Sequence, residues 1–393
     1  MKYPFMTTSI EMRGGKRSPL LMTVSYLAFI IGSSEVFCYR GTPACGTQDG
    51  CTFDAEIGIL NCKSLKMQTI PLELCPEVKY LDMRYNYLVR LSTQIYNYHP
   101  NLEILNLGAT GITTITPDVF KKCDSINFVY LDTNEITTLK RRSFDGLTSL
   151  QYLYLSANKL SHIKAMIFDP LNKTLLYLDL SHNAIMKIEV GSFQPLTNLK
   201  RLFLQKNQLT HINSGMLRGL QSLTHLYLSN NQIKYIPHNT FKNLPNLTDL
   251  KLGHNPMVSI HNGALGHLAK LSFLDLMSTQ ITTLQNISCL FSKSSQLETF
   301  YISGTTLVCD ASFESWRKWY KGSAVHNLRT TTCVSYDDPP VTMEWWSHNS
   351  SSLTPPSINK LLLSQSDLNI GIRNNLSVIV FTAMMILSIS FNI

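Results

Sequence analysis

The sequence predicts an α/β-type solenoid, a right-handed horseshoe with parallel strands on its concave side and a disulfide-bonded cap at each end. Three observations lead to this prediction: one pattern recurs through most of the chain, cysteines cluster on either side of it, and only 15% of the residues are charged. With 44% hydrophobic residues, the chain is too apolar to be disordered. The formal net charge of +8 is thinly spread, which does not indicate nucleic-acid binding.

Residues 1–34 have the organisation of a signal peptide. Basic residues up to Arg17 precede an apolar run from Leu20 to Ile31, and small residues occupy positions 32–34. We therefore expect cleavage after Ser34. The alternative is an uncleaved N-terminal anchor, which is disfavoured because the apolar run is short for a membrane span.

The pattern L-x-x-L-x-L-x-x-N defines a repeat region at residues 78–308, and its copies follow one another at intervals of 24 to 26 residues. The ten copies begin at Val78, Leu102, Ile126, Leu150, Leu175, Leu199, Leu223, Leu247, Leu271 and Leu297. Positions 4 and 6 are two residues apart, so their side chains point to the same side of a short strand. Together with position 1, they face the core. Each repeat buries these residues only against its neighbours, so the array needs capped ends.

Position 9 of the pattern is asparagine in seven repeats and threonine in the other three. The asparagines are Asn86, Asn134, Asn158, Asn183, Asn207, Asn231 and Asn255. A buried amide at this place can satisfy backbone donors and acceptors that no strand partner reaches. We therefore expect a structural role for this column.

The repeats resemble those of extracellular leucine-rich-repeat proteins, over roughly residues 38–335. The resemblance implies a cysteine-rich N-terminal cap at residues 35–77 and a C-terminal cap at residues 309–340. It also implies the pairs Cys38–Cys51 and Cys45–Cys62 in the first cap and Cys309–Cys333 in the second. The remaining cysteines, Cys75, Cys123 and Cys289, fall in core phases of the repeat, where free cysteine packs as a small hydrophobe.

The C-terminal segment predicts lipid anchoring. A short stalk at residues 341–366 is followed by residues 367–393, which combine a polar spacer with 18 uncharged residues from Leu376 to Ile393. Small residues beginning at Ser364, a spacer and a terminal apolar tail are typical of a GPI-attachment signal, with Ser364 as the attachment residue. A tail anchor and plain secretion are the alternatives. N-glycosylation sequons occur at Asn172, Asn246, Asn286 and Asn349.

Positions 3 and 5 of each repeat should point outward from the concave sheet, because strand side chains alternate. In the third to seventh repeats, seven of these ten positions are Phe or Tyr. The predicted ligand-binding residues are Tyr80, Phe128, Tyr130, Tyr152, Tyr154, Tyr177, Asp179, Arg201, Phe203, His225 and Tyr227. This composition is typical of protein-binding hot spots. The alternative is that the rings only stack on one another along the sheet.

Catalytic motifs and metal-ligand spacings do not occur in the sequence, so we predict neither an enzyme nor a cofactor or metal site. The architecture resembles Toll-like receptor ectodomains, GPI-linked leucine-rich-repeat adhesion proteins and variable lymphocyte receptors. The resemblance implies a recognition or adhesion receptor on the extracellular face of the plasma membrane, with a protein, glycan or lipid ligand. Its partners would be a trans adhesion partner or a transmembrane co-receptor, or a second copy of the chain. The alternatives are an innate-immune pattern-recognition co-receptor and a secreted matrix or inhibitor protein.

Overall fold

The computed structural model of the protein describes residues 50–71, 76–91, 101–283, 297–308, 332–334 and 341–342. Within these ranges, nineteen short strands form four sheets. In chain order the strands are β1 (Thr52–Asp54), β2 (Ile59–Asn61), β3 (Tyr80–Asp82), β4 (Ile104–Asn106), β5 (Phe128–Tyr130), β6 (Tyr152–Tyr154), β7 (His162–Ile163), β8 (Tyr177–Asp179), β9 (Lys187–Ile188), β10 (Arg201–Phe203), β11 (His225–Tyr227), β12 (Tyr235–Ile236), β13 (Asp249–Lys251), β14 (Ser259–Ile260), β15 (Phe273–Asp275), β16 (Thr299–Tyr301), β17 (Thr306–Val308), β18 (Thr332–Val334) and β19 (Val341–Thr342). A 3-10 helix covers Asp169–Leu171. The described helical structure includes no segment that is both long and apolar enough to span a membrane.

The main sheet has twelve strands in the order β1-β2-β3-β4-β5-β6-β8-β10-β11-β13-β15-β16. Ten of them, β3 to β16 in this order, are parallel and come one from each repeat, and each covers positions 3 to 5 of the pattern. The middle residue of each repeat strand is fully buried, as Leu153, Leu178 and Leu202 illustrate. The predicted parallel solenoid is therefore confirmed, with the inward and outward positions as the pattern indicates.

A column of large side chains fills the interior behind the sheet. Phe120, Phe144, Phe168, Phe193 and Phe241 are all fully buried. The Phe144 and Phe168 rings stack with centroids 6.0 Å apart, and Phe168 and Phe193 with centroids 5.9 Å apart. Because each of these side chains is buried between neighbouring repeats, the core is continuous along the array.

The asparagines at position 9 of the pattern link consecutive repeats. Asn207 donates from Nδ2 to the carbonyls of Leu204 and of Leu180, both at 3.0 Å, and its Oδ1 accepts the N–H of Ile185 at 2.9 Å. Leu180 and Ile185 belong to the preceding repeat. The same three bonds recur in a set that we call the asparagine ladder: Asn134, Asn158, Asn183, Asn207, Asn231 and Asn255. Thr110 and Thr279 each donate to the corresponding carbonyl of their own repeat. The structural role predicted for this column is confirmed.

The N-terminal cap corrects one expectation. The structure has a Cys51–Cys62 disulfide with the Cα atoms 4.4 Å apart, so the predicted pairs Cys38–Cys51 and Cys45–Cys62 are wrong. The reason is the hairpin of β1 and β2, whose register pairs Thr52 with Asn61. The two cysteines that flank this pair therefore lie opposite each other across the hairpin. Cys38 and Cys45 lie outside the described residues.

The structure tests only some of the other cysteine predictions. Cys123 is a buried free thiol, as expected, and burial raises its pKa to about 12. Cys75 and Cys289 lie outside the described residues. In the C-terminal cap, β18 pairs with β17 so that Cys333 is in register with Leu307. Since Cys309 is not described, the Cys309–Cys333 bridge stays a prediction.

Candidate ligand-binding face

The predicted concave columns occupy the outward positions of adjacent strands. The parallel register places Phe128 beside Tyr152, and Tyr130 beside Tyr154. It continues with Tyr152 beside Tyr177 and on to Arg201. Because aligned residues of neighbouring strands lie about 4.8 Å apart, side chains of this size must touch along a column.

Seven aromatic side chains form one continuous surface, which we call the ring ladder: Phe128, Tyr130, Tyr152, Tyr154, Tyr177, Phe203 and Tyr227. The centroid separations along it are 4.4 Å for Phe128–Tyr152, 4.5 Å for Tyr130–Tyr154, 4.8 Å for Tyr154–Tyr177, 4.8 Å for Tyr177–Phe203 and 4.9 Å for Phe203–Tyr227. The first two pairs are nearly coplanar, at 5° and 6°, whereas the last is edge-to-face at 88°. All seven rings are half-buried, so they keep a solvent-facing part after stacking.

Tyr80 does not join the ring ladder. It lies on β3, two strands from Phe128, and β4 between them contributes Ile104 and Asn106 to the outward positions. Asn106 is buried and donates a hydrogen bond from Nδ2 to the Tyr80 hydroxyl at 3.3 Å. Of the predicted aromatic site residues, Tyr80 is thus the one that lies outside the ring ladder.

An acidic residue lies among the rings. Asp179 is half-buried, and burial raises the pKa of its carboxyl above the ordinary value. The backbone N–H of Ser181 donates to its Oδ1 at 2.9 Å, which opposes that shift. Burial also raises the pKa of Tyr154 and of Tyr177, so both hydroxyls are protonated at neutral pH. The middle of the ring ladder is therefore a surface of neutral tyrosine hydroxyls with the Asp179 carboxyl among them.

The C-terminal end of the ring ladder carries the charges. Arg201 is exposed on β10, and the His225 Nε2 lies 3.6 Å from Oδ2 of Asp249. Burial lowers the pKa of His225, although Asp249 raises it in part, so the imidazole is mainly neutral at pH 7. The Thr224 hydroxyl and the His225 Nδ1 lie 2.8 Å apart, at hydrogen-bond distance. Polar contacts of this kind fix the orientation of the imidazole beside the rings.

Sequence reasoning missed the cation that ends the ring ladder. Nζ of Lys251 lies 4.3 Å from the Tyr227 ring centroid and 5.3 Å from the Phe273 ring centroid. Such cation–π contacts favour a fixed ammonium position. The signal was present in the sequence, because Lys251 follows Tyr227 in the same outward column.

The other predicted sites divide between described and undescribed residues. Asn172 is exposed and Asn246 is half-buried, whereas Asn286 and Asn349 lie outside the described ranges, as does Ser364. Across the part of the chain that the structure describes, no three His, Cys, Asp or Glu side chains cluster in a way that could hold a metal ion.

The comparisons with known proteins concern the repeats and the fold. The family model described as "Leucine rich repeat" matches residues 100–160, 173–233 and 224–281. A solved octameric complex of Latrophilin 3, Unc5D and FLRT2 (LRR) contains a similar chain, at a TM-score of 0.57 and 20% identity over 70% of this chain and 90% of that one. The Toll–Spatzle complex from Drosophila contains another, at a TM-score of 0.56 and 19% identity over 62% of this chain and 36% of that one. Curated protein sequences give no match.

At these identities the likeness to solved structures concerns the fold. The family match and the repeat strands rest on the same residues, because each matched range contains whole copies of the pattern with their strands. Leucine-rich repeats therefore occupy these ranges of the chain, and its parallel solenoid is similar to the repeat domains of FLRT2 and Toll.

Proposed function

We propose that the protein is a cell-surface recognition receptor that binds a protein ligand on the ring ladder. The observation that carries the proposal is the continuity of seven half-buried rings over five adjacent strands, from Phe128 to Tyr227. Stacking along the sheet explains the contacts between the rings. It does not explain why so much aromatic surface is directed toward solvent, where a monomer normally carries charged or polar side chains.

Chemistry at the ends of the ring ladder supports a protein ligand. Tyrosines that present an apolar ring and a protonated hydroxyl are enriched in binding hot spots, and so is arginine. Arg201, Asp179 and Lys251 add charges of both signs within the surface. The two similar solved chains come from complexes with other proteins, Unc5D and Latrophilin 3 in one case and Spatzle in the other.

The cellular part of the proposal is GPI anchoring at Ser364 on the outer face of the plasma membrane. A receptor held only by lipid in the outer leaflet cannot transmit a signal by itself, so it needs a transmembrane co-receptor or acts in adhesion. Phosphatidylinositol-specific phospholipase C should release the chain, tagged after residue 35, from expressing cells into the medium. Chain found in the medium before treatment would replace this location with plain secretion, in a matrix or inhibitor role.

The binding part is tested on cells that display the full-length chain. We expect Tyr152→Ser with Tyr154→Ser to abolish binding of a cognate member from a panel of Fc-fused cell-surface ectodomains. The matched control is Tyr235→Ser, because Tyr235 is an exposed tyrosine on β12, outside the main sheet. Equal binding by wild type and the double variant, at equal surface levels, would refute the ring ladder as the binding face. Binding of microbial glycolipid instead of any ectodomain would favour the innate-immune alternative.

A further inference from the structure

A second surface feature lies in the segments that return from one strand to the next. In the fourth and fifth repeats, these segments enclose an open groove of about 530 Å³. Its apolar lining includes Met166, Val190 and Pro195, and its polar lining includes Asp169 and Gln194. We call this feature the repeat 4–5 groove. Its residues come after the concave strand in each of the two repeats, so the groove has no part in the proposed binding face.

The apolar side chains of this groove are unusually open to solvent. Met166 is 50% exposed and Val190 is 64% exposed. Val190 is next to Gly215 of the following repeat, where a Cβ atom would stand 3.2 Å from both Val190 methyl groups. Two large apolar side chains at adjoining positions of neighbouring repeats favour an occupant that can cover them.

The sequon asparagine Asn172 lines the same groove. It ends the 3-10 helix, where its backbone N–H donates to the Asp169 carbonyl at 3.3 Å. Within the described residues its side-chain amide makes no hydrogen bond. By contrast, Asn246 donates from Nδ2 to the Gln221 carbonyl at 2.9 Å and accepts from Nζ of Lys270 at 2.7 Å. Of these two sequons, Asn172 is the one whose amide makes no hydrogen bond to the rest of the described chain.

We propose that Asn172 carries an N-linked glycan and that its first N-acetylglucosamine packs into the repeat 4–5 groove. The apolar sugar face and the acetyl methyl group would cover Met166 and Val190, while Asp169 and Gln194 accept and donate hydrogen bonds to the sugar. The donor is a polyprenyl-diphosphate-linked oligosaccharide. The bond from sugar C1 to the diphosphate oxygen breaks, the C1–Nδ2 bond forms, and the amide proton leaves with the diphosphate lipid.

This inference depends on the secretory location in the proposed function, because N-glycosylation occurs in the secretory pathway. It adds a structural role for the glycan, the packing of its first sugar into the groove, which the secretory location alone does not require. The groove differs from an ordinary glycosylated surface in that the sugar would contribute to folding stability.

The test compares melting temperatures of the full chain, made in cells that produce high-mannose glycans. Thr174→Ala removes the sequon, whereas Thr174→Ser keeps it and alters the same residue. We expect Thr174→Ala to lower Tm by about 2–4 °C and Thr174→Ser to leave it unchanged. Asn172→Gln should reproduce the Thr174→Ala result. After endoglycosidase H, which leaves one sugar on each site, the difference between wild type and Thr174→Ala should persist.

A second comparison tests the groove itself. In chains with Met166→Ser and Val190→Ser, the Tm difference between Thr174→Ser and Thr174→Ala should disappear, because the sugar no longer covers apolar surface. The inference is overturned if Tm is the same with and without the Asn172 glycan, or if the difference survives these two substitutions. A secreted chain glycosylated elsewhere but not at Asn172 overturns the inference alone, whereas a chain retained in the cytosol overturns the proposed location as well.

Discussion

The asparagine ladder allows a quantitative prediction at Asn207. The change Asn207→Ala removes three short hydrogen bonds, one from the N–H of Ile185 and two to the carbonyls of Leu180 and Leu204, together with a long one of 3.5 Å to the carbonyl of Gln205. Asn207 is only 6% exposed and Ile185 is fully buried, so water cannot replace the amide without rearrangement. The perturbation therefore acts on buried backbone groups of two consecutive repeats.

The size of the loss in stability depends on which hydrogen bonds each former partner of Asn207 retains. The Ile185 N–H has no other acceptor in the described residues, and an orphaned buried donor costs about 1–3 kcal/mol. The two carbonyls each keep one donor, the amide of Asn183 for Leu180 and that of Asn231 for Leu204. Losing one of two bonds at each carbonyl costs about 0.5–1.5 kcal/mol. We therefore expect Asn207→Ala to lower the free energy of unfolding by about 2–6 kcal/mol.

Urea unfolding followed by circular dichroism measures this loss, and hydrogen exchange locates it. Exchange at the Ile185 amide should accelerate, because its hydrogen bond is the one removed outright. The matched control is Asn198→Ala, since Asn198 is exposed and makes one bond, from Nδ2 to the Lys173 carbonyl at 2.8 Å. A loss below about 1 kcal/mol for Asn207→Ala, or a loss equal to that of the control, would refute the reasoning.

Four further predictions concern single sites. Thr133 has φ +55°, which costs a β-branched residue about 1–2 kcal/mol, so Thr133→Asn should raise the free energy of unfolding by about 1 kcal/mol in urea titrations, and no gain would contradict it. Burial raises the folded-state pKa of Asp179 above the ordinary value of 3.8, so ionisation of this carboxyl costs stability as pH rises through the raised pKa. Asp179→Asn should therefore raise Tm at pH 7, with a gain that shrinks toward pH 3.8, and a gain that is constant with pH would contradict this prediction. Cys123, whose pKa burial raises to about 12, should resist iodoacetamide in the folded chain and react in urea; labelling of the native chain would show that the thiol is accessible. Peptide mapping without reduction should recover a Cys51–Cys62 link, and a Cys38–Cys51 link would contradict the hairpin register.

The strands could be predicted from the repeat because the same alternation of positions determines where each strand lies and which of its side chains are buried. Leu178 at position 4 is apolar for burial, and its neighbours Tyr177 and Asp179 face outward because side chains alternate. All copies of the pattern give the same assignment of inward and outward positions, and this agreement supports the prediction of the sheet and its outward columns.

The parts that failed or were missed depend on geometry that the repeat does not encode. The disulfide of Cys51 follows from a hairpin outside the repeats, and the pairing implied by resemblance ignored that hairpin. The change from coplanar rings at Phe128 to an edge-to-face ring at Tyr227 depends on side-chain torsions. The outward position of Lys251 follows from the repeat, but its distances from the Tyr227 and Phe273 rings depend on side-chain torsions.

The asparagine ladder has a consequence for how the binding surface can change. In the third to eighth repeats, the same asparagine amide closes every junction with the preceding repeat, and all seven rings lie on strands of the third to seventh repeats. A ligand would therefore meet a surface whose backbone is already in its final shape, so little conformational entropy is lost on binding. The residues that make the frame and those that face the ligand are different side chains of the same repeat. Substitution at two outward positions per strand can thus alter what is recognised while the frame that supports recognition stays intact.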